Sequence, residues 1–104
     1  MPYGLREETI QKICSVLSRH PAIEKAVLYG SRAKGTFKPG SDIDLSLHGA
    51  AITAKELGEI DSELDDLLLP YTFDLLIFDT LTHAKLREHI ERVGKVFYAR
   101  PYAA

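Results

Sequence analysis

Three observations on the sequence predict an α/β domain built on a small mixed sheet. Three short stretches, Ile23–Tyr29, Asp42–Leu47 and Phe73–Phe78, have the length and residue types of strands. Longer stretches before, between and after them repeat apolar residues at helical spacing. A chain of 104 residues has room for one core and none for a second. The expected architecture is α/β in the α+β sense: one domain over residues 1–104, with three to four strands in a mixed sheet and the helices packed on one side. A helical N-terminal segment falls within residues 1–22, and a loose tail is expected from 100 to 104.

From Leu5 to Arg19, apolar residues recur at Ile10, Ile13, Cys14 and Leu17, giving a helix one buried stripe. His20-Pro21 stops it. Ile23–Tyr29 ends in a continuous apolar run, Ala26-Val27-Leu28-Tyr29, which suits a central strand. Thr53 and Glu56 have the spacing of a capping box, so a second helix starts there and runs on Leu57, Ile60, Leu64, Leu67 and Leu68 until Pro70. Its other face carries Glu56, Glu59, Glu63, Asp65 and Asp66, a solvated surface or a docking face for a basic partner. Thr82–Val93 is a third helix with Leu86, Ile90 and Val93 inward and Gly94 as its stop. Val96-Phe97-Tyr98 reads as a short edge strand or a docked extended segment. Asp79 reads as a turn or cap residue.

A net charge of −2 gives no general attraction to nucleic acid, and no direct nucleic-acid binding is expected. Cys14 stands alone, so there is no disulfide framework and a reducing, cytoplasmic setting is expected. No apolar run is long enough to span a bilayer, and Met1–Glu8 lacks an apolar signal region, so no membrane association is expected. The four histidines show no metal-ligand spacing. Only His48 follows the acidic strand, on the aspartate-bearing face.

The chemistry concentrates between Gly30 and Leu47, in GSRAKGTFKPGSDIDLSL. Strand alternation places Asp42, Asp44 and Ser46 on one face and Ile43, Leu45 and Leu47 on the other. The two carboxylates are then about 6.5 Å apart along the strand. Like charges so close raise each other's pKa unless a cation intervenes, and hard divalent ions such as Mg²⁺ take carboxylate and phosphate oxygens. The preceding loop offers what a phosphate needs: glycines for close backbone approach, the Ser31 hydroxyl, and the positive charges of Arg32, Lys34 and Lys38. Asp74 interrupts the apolar run of the third strand, and a carboxylate there is costly unless something pairs with it.

Gly30-Ser31, ten residues and then Asp42-x-Asp44 resembles the signature of the DNA polymerase beta-like nucleotidyltransferase superfamily. The short chain is most similar to the minimal nucleotidyltransferases, the MNT antitoxins paired with HEPN toxins. That resemblance implies the polymerase beta-like fold and a metal-dependent transfer of AMP from ATP to an acceptor hydroxyl. It implies Asp42, Asp44 and, on a later strand, Asp74 as ligands of two Mg²⁺ ions. Gly30 and Ser31, with Arg32 or Lys34, would cradle the triphosphate. It also implies an antitoxin whose acceptor is a tyrosine of a partner HEPN ribonuclease, with association to itself or that partner left open. The rival reading is a non-catalytic nucleotide-binding subunit that neutralises or supports a partner by docking. An EF-hand fails for want of its glycine and final glutamate, and a dinucleotide-binding fold for want of G-x-G-x-x-G.

Overall fold

The computed structural model describes residues 1–101. Helix α1 spans Glu7–Ser18, strand β1 Lys25–Tyr29, helix α2 Gly30–Lys34 and strand β2 Ile43–His48. Helix α3 spans Ala54–Asp65, strand β3 Phe73–Ile77, helix α4 Ala84–Val93 and strand β4 Lys95–Ala99. Short 3₁₀ turns cover Pro2–Gly4 and Phe78–Thr80.

The four strands form one mixed sheet in the order β3-β2-β1-β4. β1 runs antiparallel to both β2 and β4, while β2 and β3 are parallel. The parallel pair follows from the α3 crossover, because two parallel strands cannot be joined by a tight turn. The mixed α/β class is therefore as expected. Val96–Tyr98 lies inside a true edge strand, β4, rather than a docked extended segment.

The main core lies on one face of the sheet. Ala26, Leu28, Ile43, Leu45 and Leu47 meet Ile13, Val16 and Leu17 of α1 and Ile60 and Leu64 of α3 there. These are the stripes the periodicity picks out. The opposite face does not stay bare, which corrects the expectation of helices on one side only. Ile90 of α4, with Leu86 and Val93, packs against Val27, Tyr29, Leu76 and Phe78. The strands made this unavoidable: β1 and β3 are apolar on both faces, so the second face also needs a cover.

Three local details differ from the sequence expectation. The α3 capping box is half formed: Thr53 Oγ1 accepts from Glu56 N at 3.1 Å. The Glu56 carboxylate turns instead to His20, whose Nδ1 lies 3.0 Å away while its Nε2 lies 2.9 Å from Glu63. The buried imidazole thereby uses part of the acidic face internally and ties the end of α1 to α3. Second, α3 ends at Asp65, short of Pro70, because Leu68 takes a left-handed φ of 55°. A leucine gives no sequence warning of a conformation that glycine normally supplies. Third, the tail expected to be loose from residue 100 is anchored at its start. Arg100 N donates to Glu24 O at 2.9 Å, and its guanidinium donates to Ile23 O and His20 O. Residues 102–104 of that tail lie outside the described residues.

Cys14 is half-buried on α1, with Sγ 3.6 Å from Phe97 O. Burial, then the charge of Glu7, pushes its thiol up. Alkylation by iodoacetamide at pH 8 is therefore expected to be far slower in the native protein than in denaturant. Equal rates would contradict this placement. Among the described residues no helix is long and apolar enough to cross a membrane.

Candidate active site

The acidic residues and the glycine turn meet on the α4 face of the sheet. β1 passes into α2 at Gly30, which has φ of +71°. A Cβ built on Gly30 would run into the Asp44 carboxylate. The tight turn and the strand acid are thus in direct apposition, and glycine is required on two counts: the backbone region and the space. Gly30→Ala is expected to cost about 2 kcal/mol in stability, from left-handed strain plus displacement of Asp44. A thermal melt checks this, and an unshifted midpoint would contradict it.

Register places Tyr29 and two of the acids in a row across three strands. Tyr29 pairs with Asp44, and Asp44 pairs with Asp74. Asp42 precedes β2 on the same alternation and is exposed, as is Asp74, while Asp44 is partly buried between its neighbours. Burial pushes the Asp44 carboxyl up to about 6, helped by the charges of Asp74 and Asp42, while Arg32 pulls it back. Burial, and then the charges of Asp74 and Asp44, push the Tyr29 phenol upward, so it stays protonated. His89 of α4 meets the Tyr29 ring edge-on at 6.2 Å. Tyr29 and His89 are the site neighbours that sequence reasoning missed. The alternation of β1 could have found Tyr29, but no sequence signal brings α4 to it.

The basic residues of the loop divide. Ser31 lies in the first turn of α2, where backbone N–H groups have no helical partner. Lys34 is exposed at the other end of α2. Arg32 is only 2% exposed, with its guanidinium turned inward. Its guanidinium donates to Ser41 O (2.8 and 3.1 Å), Tyr3 O (2.9 Å) and Pro39 O (3.3 Å). The rings of Phe37 and Tyr71 lie 5.2 and 4.9 Å from it. Arg32 locks the 35–41 loop and reaches the acids only through its field. His48 is likewise not at the acid end. It stacks on Phe78 at 4.4 Å and its Nε2 lies 3.1 Å from Ser46 Oγ, four residues further along β2 than Asp44. Asp79 has a structural partner, accepting from Gly49 N at 2.9 Å.

Among the described residues, no three acidic, histidine or cysteine side chains converge closely enough to close around one ion. The expected trio Asp42, Asp44 and Asp74 shares a face without forming a cage. The donor set nevertheless fits a hard ion. It offers carboxylate oxygens on a sheet face, with Asp42 and Asp74 exposed, and Mg²⁺ takes such oxygens together with waters and phosphate oxygens. Burial is the main cause of the upward push on Asp44, and the charges of Asp74 and Asp42 add to it.

A family model described as polymerase beta, nucleotidyltransferase matches residues 11–102. The chain belongs to that family. The fold of this nucleotidyltransferase also resembles solved structures. One is a toxin-antitoxin crystal structure with AMP-PNP, matched at TM-score 0.71 with 23% identity over 93% of this chain and 76% of that one. Another is a tri-AMPylated Shewanella oneidensis HEPN toxin in complex with MNT antitoxin, at TM-score 0.69 with 18% identity over 92% of this chain and 74% of that one. A nucleotidyltransferase-like protein from Sulfolobus solfataricus matches at TM-score 0.50 with 20% identity, over 90% of this chain and 86% of that one. No match was found among curated proteins.

Proposed function

We propose that this nucleotidyltransferase transfers AMP from ATP to an acceptor hydroxyl, a tyrosine of a partner HEPN ribonuclease toxin, and so acts as an antitoxin. The observation that carries the reading is the apposition of the Gly30 turn to Asp44, with Asp74 directly beside it. It sets a backbone suited to phosphate against carboxylates suited to a metal. The fold neighbours that contain a toxin, the ATP analogue AMP-PNP or an AMPylated partner support the choice of donor and acceptor.

Gly30 and the start of α2 would receive the triphosphate, with the Ser31 hydroxyl and free backbone N–H groups as donors. Magnesium held by Asp42, Asp44 and Asp74, two ions by the family's pattern, would neutralise the phosphates and lower the pKa of the attacking hydroxyl. The acceptor oxygen forms a bond to the α-phosphorus, the bond to the β-phosphate oxygen breaks, and pyrophosphate leaves. Asp74, the more exposed of the facing pair, would meet the incoming acceptor and could take its proton. Arg32 holds the 35–41 loop so that Gly30 and Asp42 keep their separation. Tyr29, kept protonated beside Asp44 and Asp74, offers those acids a neutral, donor-bearing neighbour.

The test is incubation of the protein with Mg²⁺, labelled ATP and the toxin partner, followed by mass spectrometry. The expected result is a tyrosine of the toxin heavier by one AMP and a less active ribonuclease. Toxin neutralised with no adduct would overturn the catalytic reading in favour of docking alone.

A further inference from the structure

α3 carries a glycine its own packing does not ask for. Gly58 sits in the middle of a twelve-residue helix, where glycine costs about 1 kcal/mol relative to alanine. A Cβ built there meets nothing within 4 Å. The space outside it belongs to a groove of about 400 Å³. Ala54, Gly58 and Asp61 of α3 form one wall, and Phe73, Asp74 and Leu75 of β3 form the other. β3 is the terminal strand of the sheet, so its outer backbone groups pair with no described strand. The two sheet edges differ. β4 carries Lys95, and its pairing with β1 contains a bulge, both of which discourage strand addition. β3, Phe-Asp-Leu-Leu-Ile, pairs with β2 in unbroken register and has no lysine or proline.

We propose that this groove holds the acceptor polypeptide, as an extended basic segment that adds to the sheet alongside β3. The proposal rests on the transfer reading above. Strand addition gives affinity through main-chain hydrogen bonds, and the side chains beside it select the sequence. The groove's charged lining is acidic, Asp61 and Asp74, and neither makes an ion pair among the described residues. Lysine or arginine flanking the acceptor fits that lining, and a phosphate backbone is repelled by it. Geometry gives the segment a register. Tyr29, Asp44 and Asp74 already form a row across three strands. An added strand about 4.8 Å beyond β3 places its residue opposite Asp74 next in that row. A tyrosine there, on the same face, would direct its hydroxyl toward the carboxylates.

The experiment uses a fluorescein-labelled ten-residue peptide of alternating valine and lysine with one central tyrosine, and a second peptide with glutamate for lysine. Binding is read by anisotropy without nucleotide, labelling by mass spectrometry with MgATP, and MgATP affinity separately by calorimetry. The lysine peptide is expected to bind and to be labelled, and the glutamate peptide to do neither. Gly58→Leu fills the groove from a position where the fold leaves room, and should weaken peptide binding about tenfold or more, a loss near 1.4 kcal/mol. Asp61→Lys should invert the preference between the peptides. MgATP affinity should be unchanged in both variants. Peptide binding unaffected by both substitutions, or equal binding of the two peptides, would overturn the groove while leaving the transfer reading intact. Absence of MgATP binding by the unmodified protein would instead overturn the transfer reading.

Discussion

Asp44→Asn is expected to lower nucleotidyl transfer by about a thousandfold, because it removes the carboxylate that both faces the glycine turn and bridges its acidic neighbours. The same substitution should stabilise the nucleotide-free protein near pH 7.5. The folded-state pKa of Asp44 is about 6, raised above an ordinary 3.8. The native state therefore holds the proton more tightly than the unfolded chain does. The group's favourable contribution is complete below about pH 4 and is lost as pH rises through about 6, leaving a cost above it. Discounted for its partial exposure to water, that cost is about 1–2 kcal/mol. Melting curves in EDTA should show the variant ahead of the unmodified protein at pH 7.5, with the gap closing as pH falls from about 6 to about 4. A variant that is less stable at pH 7.5, or equally active, would contradict the site.

Arg32 carries the second large effect, on stability rather than on chemistry. Replacing it with methionine leaves the carbonyls of Tyr3, Pro39 and Ser41 without their donor inside the fold. The expected loss is about 3 kcal/mol, since each charge-assisted bond is worth about 1.5–3 kcal/mol and the freed carbonyls are partly rehydrated. For a domain of this size that lowers the melting temperature by about 15 °C. Arg32→Lys should recover little, because one ammonium cannot reproduce the planar fork or its contacts with Phe37 and Tyr71. If Arg32→Lys melted normally yet lost ATP affinity, the guanidinium would be a phosphate ligand after all.

That contrast shows what the sequence carried and where it stopped. The local rules were enough for the acid strand: alternation places Asp44 opposite Ile43 and Leu45, and the structure keeps that division. Asp74 was visible as an isolated charge in an apolar run, and the parallel register sets it beside Asp44. The burial of Arg32 was not legible, because composition identifies a basic residue in a glycine loop but not which way it turns. Its partners, Tyr3 and Tyr71, come from segments far along the chain. The α4 cover was missed for a similar reason. Its apolar stripe was plain, but the face it would choose depended on β1 and β3 being apolar on both sides. Half of the expected capping box was lost to a long-range competitor, since His20 draws Glu56 away. Leu68 in a left-handed conformation left no sequence trace, because that role usually falls to glycine.

Calorimetric titration of ATP into the protein, once with Mg²⁺ and once with EDTA, bears most directly on the pairing of a phosphate-binding turn with metal-binding acids. Affinity at least about tenfold tighter with Mg²⁺, a difference of 1.4 kcal/mol, is expected, with that gain absent in Asp44→Asn. Nucleotide binding that is indifferent to Mg²⁺, or a gain that survives in Asp44→Asn, would contradict it.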